Sequence, residues 1–416
     1  MNDILHVWNL VDPKKPAPVG DVRMVAHGRG YSFSYHREWM ASGYPLSGDM
    51  PLISLPIIPL DASEGLGAIS DSMPDRWGER AIRYLDNPEQ INVLDLLYLA
   101  GDGHFGALGF SKNKDFYAPH DAGPLPEIGS IELLQDMIFR IENNEPLSER
   151  EKLIASSTKS MGGAHPKALV VADGVEYIAK FPRGSNVDTG LVEHASMVLA
   201  SKSGITVPET FAVQTSIGHV VMVRRFDREN ERRIHCLSAK TVLTNGVNPA
   251  AHPEGVLSYP AMADFVRQSS KPSGQTKSRR EIFRRMVFNI LIENTDDHEK
   301  NHAFMFKDGY WEIAPAFDIL PLMSNSGRQQ MGVGARGSEA SVQNALSQCE
   351  RFGLSRKDAI EEWFSVADQV SQWKKVFETE GVTKTDIEYI KGFIDFGDRL
   401  KMRDRNAHRN LFADAW

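Results

Sequence analysis

Two cysteines, Cys236 and Cys349, are all that 416 residues contain, and no paired spacing accompanies them. That argues against a disulfide framework and against a cysteine-based zinc site. No apolar stretch reaches the roughly 18 residues that a bilayer-spanning helix needs. The N-terminus, Met-Asn-Asp-Ile-Leu-His-Val-Trp, has neither the basic region nor the apolar run of a signal peptide. A cytoplasmic protein with no membrane partner is therefore expected. Internal repeats and low-complexity tracts are absent, and 41% hydrophobic with 25% charged residues is the balance of a folded chain. The net charge of -8 gives no general nucleic-acid signal. One basic cluster stands out: Arg224, Arg225, Arg228, Arg232 and Arg233. It reads either as a local anion-binding patch or as a solvated edge laced with Asp227, Glu229 and Glu231.

What is present is a change of character along the chain. The first ~110 residues read as a small α+β unit. Leu5 to Leu10 and Val22 to Val25 form paired short strands, and Tyr31-Ser-Phe-Ser-Tyr35 alternates as a half-buried strand does. Helical patterns follow at Asp75 to Tyr84 and Val93 to Ala100. Pro119 to Gly129, with three prolines and two glycines, is the best boundary. A helix from Ile131 to Glu142 comes next. Ala168 to Ala172, the turn Asp173-Gly174 and Glu176 to Phe181 spell a hairpin, followed by a helix from Leu191 to Ser203 closed by Gly204. His219 to Phe226 is a further strand. Beyond Ser258 the pattern is helical: Tyr259 to Ser269, Ser278 to Glu293, Arg356 to Trp373 and Thr383 to Met402.

One interruption in that helical half carries the chemistry. Asp296 and Asn301 stand five apart, the D-x-x-x-x-N spacing of a phosphotransferase catalytic loop. His302 to Phe306 and Tyr310 to Pro315 flank Lys307-Asp308-Gly309, a hairpin signal. The second run delivers Asp318 where a second metal-binding carboxylate belongs. In that arrangement Asp296 accepts the proton of an attacking hydroxyl, and Asn301 and Asp318 hold Mg²⁺ together with phosphate oxygens and water. Asp297 competes for the role of base, but only Asp296 has the five-residue spacing. Lys300 either offsets charge on the transferred group or is a solvated loop lysine. His298 reads as a structural loop histidine.

The first hairpin supplies the cations that nucleotide phosphates require. Lys180, in Tyr-Ile-Ala-Lys, is placed like the phosphate-pairing lysine of a kinase strand. Glu193, on the helix beyond, either orients Lys180 through an ion pair or is a first-turn glutamate stabilised by the helix dipole. Ser160-Met-Gly-Gly-Ala-His-Pro-Lys167 precedes the hairpin; Gly162 and Gly163 let backbone N–H groups approach phosphate oxygens, and Lys167 adds a cation.

Together these residues resemble the HipA family, the serine/threonine kinase toxins of bacterial toxin–antitoxin systems. The resemblance covers nearly the whole chain. Tyr31 to Trp39, Pro45 to Ser47, Asp71-Ser-Met-Pro-Asp-Arg-Trp-Gly78 and Gly101-Asp-Gly-His-Phe-Gly-Ala-Leu108 look like its N-terminal coupling domain. Ser160 to Lys167, Val223 to Arg228, Phe288 to Ile292, Thr295 to Asn301 and Pro315 to Pro321 look like its kinase core. The implied architecture is α+β: a two-lobed protein-kinase-like fold. Residues 1–115 would be the coupling subdomain, 130–226 the strand-rich lobe with phosphate loop and Lys-bearing hairpin, and 227–416 the helical lobe.

The resemblance also assigns roles. Gly162, Gly163, Ala164, His165, Pro166 and Lys167 would form the phosphate-binding loop, and Lys180 would contact the phosphates. Arg224, Arg225 and Phe226 would be the hinge against adenine. Asp296 would be the catalytic aspartate, and His298, Lys300, Asn301 and Asp318 would lie along ATP. Ser160 matches the serine whose autophosphorylation expels the loop and silences the kinase; Ser156, Ser157 and Thr158 crowd it as alternative acceptors. Implied partners are a helix-turn-helix, HipB-like antitoxin with its operator DNA and a translation component such as an aminoacyl-tRNA synthetase as substrate. Arg224 stands where a glutamate is common in the hinge, and His298 where kinases carry a lysine two after the base. A small-molecule kinase of the same core, or an antitoxin-binding scaffold without activity, fits the same residues less fully.

Overall fold

Apolar–polar alternation governs the first strands. After β1 (Ile4–Asn9) and β2 (Ala17–Met24), β3 (Tyr31–Tyr35) buries Tyr31, Phe33 and Tyr35 and leaves the two serines between them half-buried. A pleated strand with one face on a core does this. The structure, a computed structural model, describes residues 3–25, 30–60, 65–120, 123–160, 162–184, 186–245, 256–321 and 326–408. Short helices α1 (Arg37–Ser42) and α2 (Gly67–Asp71) are followed by α3 (Arg76–Leu85), α4 (Val93–Leu99) and strand β4 (Leu108–Ser111). The antiparallel sheet runs β3-β2-β1-β4. Its register sets Val7 opposite Phe110, and Val22 opposite both Leu5 and Phe33, so one face is continuous core. Asn92 and Asp95 cap α4 reciprocally, each side chain accepting from the other's backbone N–H.

Helices α5 (Ile131–Asn143) and α6 (Glu149–Ala155) lead into the hairpin β5 (Lys167–Ala172) and β6 (Val175–Lys180). Asp173 and Gly174 both have positive φ, 48° and 75°, as a two-residue hairpin turn requires. Then come α7 (Thr189–Lys202), β7 (Thr210–Thr215) and β8 (Gly218–Arg224), completing a second sheet in the order β5-β6-β8-β7. Short strands β9 (Arg228–Glu229), β10 (Arg232–Arg233) and β11 (His235–Ser238) precede α8 (Ala239–Thr244).

The remainder is helical around one hairpin: α9 (Tyr259–Ser269), α10 (Pro272–Leu291), β12 (Ala303–Lys307), β13 (Tyr310–Ile313), α11 (Val342–Leu346), α12 (Arg356–Val370), α13 (Trp373–Thr379), α14 (Lys384–Ile394) and α15 (Asp398–Arg403). The turn between β12 and β13 repeats the earlier device, with Asp308 and Gly309 at φ 51° and 82°. Among the described residues no helix is long and apolar enough to cross a membrane.

The chain divides into two compact units. The first comprises Met1–Arg183, Val213–Leu237 and Thr244–Asn248; the second comprises Gly184–Ala212, Ser238–Leu243 and Pro249–Trp416. Pro119 to Gly129 lies within the first unit. The second unit has its own core, in which Phe283, Phe288, Phe304, Phe352, Trp363 and Trp373 are buried together.

The helix expected over Arg356 to Trp373 is α12, three residues shorter; the one expected over Thr383 to Met402 is broken into α14 and α15 at Gly397, whose φ is 54°. Asp395 is the organiser. Its carboxylate accepts from Trp373 Nε1 at 3.0 Å and pairs with Lys374 and Arg403, each at 2.6 Å. These contacts turn the chain where local helical propensity would have carried it straight on. The helix expected from Ser278 starts six residues earlier, at Pro272, the position where proline suits a first turn.

Candidate active site

The second unit holds the loop between α10 and β12. Asp296 and Asp297 are adjacent, and their environments separate them. Asp297 is only 2% exposed. Its carboxylate takes the Tyr259 hydroxyl and stands 2.9 Å from His302 Nε2. Tyr259 in turn is reached by Asn289 Nδ2 at 3.2 Å, and Asn289 by Asn294 Nδ2 at 3.1 Å. Burial and the neighbouring Asp297 push the Tyr259 hydroxyl well above its ordinary pKa, so it stays a donor. Asp297 is therefore a buried strut and Asp296 is exposed.

Asn301 is 6% exposed, and its Nδ2 donates to the Asp296 carbonyl at 3.3 Å, which fixes the amide plane. His298 caps the one-turn helix Glu299–Asn301, its Nδ1 accepting from Lys300 N at 3.2 Å, in keeping with a structural loop histidine. Asp318 has φ 59°, a left-handed conformation unusual for a residue with a Cβ and costly by about 1–3 kcal/mol. A cavity of about 10 Å³ beneath the loop is lined by Asp297, Asn301, His302, Phe317 and Ile319. The residues flanking Asp318 thus converge with Asn301. One amide and one carboxylate could supply the sparse oxygen set that Mg²⁺ takes when phosphates and water fill its other positions. Sequence reasoning missed Gln330, whose Nε2 donates to Asp296 Oδ1 at 2.8 Å; no spacing signal marks it.

Glu193 lies in the second unit and corrects one expectation. Helix α7 begins at Thr189, capped by the Asp188 side chain on Leu191 N, so Glu193 falls beyond the first turn and is 6% exposed. A helix-dipole role does not apply there.

The first unit holds the phosphate-side residues. Lys167 opens β5 and stands directly opposite Lys180 at the end of β6. Two like charges paired across strands destabilise a sheet unless an anion offsets them. Gly163 has φ 93°, a conformation that strains any residue with a Cβ. Its N–H donates to Asp75 Oδ1, and its carbonyl accepts from Trp77 N at 3.1 Å. Trp77 Nε1 also donates to the Lys167 carbonyl at 3.0 Å. Gly162, Ala164 and His165 are exposed, and buried Pro166 accepts from Phe181 N at 3.0 Å, extending the sheet. Ser160 is 8% exposed. Ser156 and Thr158 donate to the carbonyls of Leu153 and Ala155. Met161 lies outside the described residues.

Three arginines of the cluster are paired inside the unit, while Arg224 and Arg232 are exposed. Arg225 grips Asp227 with two nitrogens at 2.9 and 2.8 Å and donates to the carbonyls of Gly103 and His104 at 3.1 and 2.9 Å. Arg228 reaches Asp227 at 3.0 Å and the Gly106 and His104 carbonyls at 2.9 and 3.0 Å. Arg233 pairs with Asp102 at 2.6 Å. Burial pushes the Asp227 carboxyl up, but Arg225 and Arg228 outweigh it and hold it well below the usual carboxylate range. Burial beside Arg225 lowers Arg228 to about 10. Arg225 N also donates to the Glu176 carbonyl at 3.0 Å. Its side chain and its N–H are thus spent inside the unit. Arg224 is exposed at the end of β8, and Phe226 stacks edge-on to Phe105 with centroids 6.1 Å apart.

With this geometry in hand, known proteins place the chain. The model of the HipA-like C-terminal domain matches residues 159–374, just over half of the chain, and that of the HipA N-terminal domain matches residues 15–111. The chain belongs to the HipA family of serine/threonine kinase toxins. Among relatives, the serine/threonine-protein kinase toxin HipA of Shewanella oneidensis is 22% identical over 335 residues, 73% of this chain and 72% of that protein. A putative kinase of Sinorhizobium fredii is 25% identical over 346 residues, 76% of this chain and 79% of its own length. A putative kinase of Haemophilus influenzae is 28% identical over 138 residues; the match spans 31% of this chain and 40% of that protein. The HipA chain solved in the Shewanella oneidensis HipA, HipB and operator DNA complex superposes with a TM-score of 0.69 at 19% identity, covering 96% of this chain and 97% of that one. The fold is thus the α+β, kinase-like fold of HipA.

Proposed function

We propose that this HipA-family chain is an ATP- and Mg²⁺-dependent serine/threonine protein kinase that arrests growth. The carrying observation is the division of labour between neighbours: Asp297 is buried against Tyr259 and His302, while Asp296 stays exposed above Asn301. A base must reach its proton, and a strut must hold the base still. In the transfer step the acceptor hydroxyl oxygen bonds to the γ-phosphorus and the bond to the bridging oxygen breaks. ADP leaves with that electron pair, and the hydroxyl proton passes to Asp296. Mg²⁺ would be held by Asn301 and Asp318 and would neutralise charge on the phosphate oxygens. Lys167 and Lys180, paired across β5 and β6, supply the cations that neutralise the phosphates.

The acceptor we propose is a translation component such as an aminoacyl-tRNA synthetase, with Ser160 as the site of self-inactivation. The partner is a HipB-like helix-turn-helix antitoxin, and through it operator DNA, as named for the Shewanella oneidensis complex. Expression of the wild type should arrest a bacterial host, whereas Asp296→Asn should not, although it still binds ATP. Phosphoproteomics of the two cultures then identifies the acceptor. Equal toxicity of both proteins would sink the kinase-toxin reading.

A further inference from the structure

Five contacts converge on the phosphate loop from four residues between 75 and 103 of the first unit, all far away in sequence. Asp75 takes the Gly163 N–H, and Trp77 N gives to the Gly163 carbonyl at 3.1 Å, so both polar groups of that residue are gripped by consecutive positions at the start of α3. The Trp77 indole, 1% exposed, adds a third bond, to the Lys167 carbonyl at 3.0 Å. Ahead of Ser160, Lys159 is 2% exposed and lies 3.2 Å from the Asp86 carboxylate just past the end of α3. Ser160 itself faces Gly103: a Cβ at that glycine would collide with its Oγ. The side chain of Asp75 makes no cap bond within its own helix, although it occupies the N-cap position. It serves the loop instead.

We propose that α3, through Asp75 and Trp77, is a latch that positions the phosphate loop and keeps Ser160 shielded against Gly103. A carboxylate accepting from a backbone N–H makes a charge-assisted bond, stronger than a neutral one. The loop therefore stays in place while Asp75 holds Gly163. Release of that bond loosens residues 162–167 and brings the Ser160 hydroxyl within reach of phosphate transfer. Asp75 and Trp77 are positioning residues and touch no reacting atom. The consequence for Ser160 rests on the kinase reading above; the latch does not.

The test separates the two. In an Asp296→Asn background, hydrogen exchange at residues 162–167 should quicken at least tenfold in Asp75→Ala. Asp75→Asn, which keeps an acceptor oxygen, should fall between. Trp77→Phe, which loses the indole donor and part of the buried ring, should quicken exchange at the same residues. Unchanged exchange in a folded Asp75→Ala protein, with α3 itself still protected, overturns the latch. In the active protein incubated with Mg²⁺ and ATP, mass spectrometry should find Ser160 phosphorylated several-fold faster in Asp75→Ala. If exchange quickens and phosphorylation does not, the latch stands and its control of Ser160 is refuted. If no variant transfers phosphate at all, the kinase reading fails while exchange still decides the latch.

Discussion

Gln330 Nε2 donates to Asp296 Oδ1 at 2.8 Å, from a segment twelve residues beyond Asp318. The bond holds the exposed carboxylate of the proposed base in one rotamer, a service that Asp297 cannot give because it is buried elsewhere. Gln330→Ala should lower kcat roughly tenfold, about 1.4 kcal/mol, with little change in the KM for ATP. Asp296→Asn should lower it by at least about 100-fold, the share of a general base. Steady-state kinetics on both variants checks this; an unaltered kcat in Gln330→Ala would mean that Asp296 needs no such support.

Asp318→Ala should abolish the Mg²⁺-dependent part of ATP binding, because Asn301 alone offers a single amide oxygen. Calorimetry with and without Mg²⁺ measures it. The substitution also relieves little strain, since alanine at φ 59° is no better placed than aspartate. A folded variant that still tightens on ATP with Mg²⁺ would refute the metal assignment.

Asp227 is the shared acceptor of the buried Arg225 guanidinium, the half-buried Arg228 guanidinium and Gly106 N at 2.8 Å. Asp227→Ala leaves those charges without their counter-ion and should cost about 3–5 kcal/mol of stability. Arg232→Ala, at an exposed position in the same cluster, should stay within about 0.5 kcal/mol. Urea unfolding followed by signals from the first unit distinguishes the two; equal effects would mean that the cluster is not an internal clamp.

Acid should weaken the first unit in a defined window. His104 donates from Nδ1 to the Ser72 carbonyl at 2.8 Å, and His235 from Nε2 to the Leu46 carbonyl at 2.8 Å. Burial lowers both to about 4 from an ordinary 6.5, against the small opposing pull of those carbonyls. The unfolded chain takes up these protons first. Stability is therefore full above pH 6.5 and falls as pH drops from there toward 4, by up to about 1.4 kcal/mol per pH unit for each histidine. Urea midpoints measured across that range should show the slope, and His104→Gln should reduce it. A flat profile between pH 6.5 and 4 would contradict this.

Much of the fold and part of the site were legible before any coordinates. Tyr31–Tyr35 announced its alternation, and Asp173-Gly174 and Asp308-Gly309 announced their turns, since those signals are local and each is enforced by backbone sterics. The loop that places Asp296 five residues before Asn301, and the hairpin that leads to Asp318, follow from the same short-range grammar. Helix ends were less legible. Asp395 and Gly397 break a periodic pattern only because Trp373, Lys374 and Arg403 come to Asp395 from elsewhere.

By itself the sequence determined the family, the two hairpins and the residue types available for phosphoryl transfer. Tertiary structure alone decided how those residues are employed. It buried Asp297 against Tyr259 while leaving Asp296 exposed, and it made Arg225 a clamp on Gly103, 122 positions away. It also joined Asp75 to Gly163 across 88 positions. Such pairings leave no trace in local periodicity, because burial and a distant partner, rather than the identity of a charged residue, fix whether it becomes a strut, a clamp or a base.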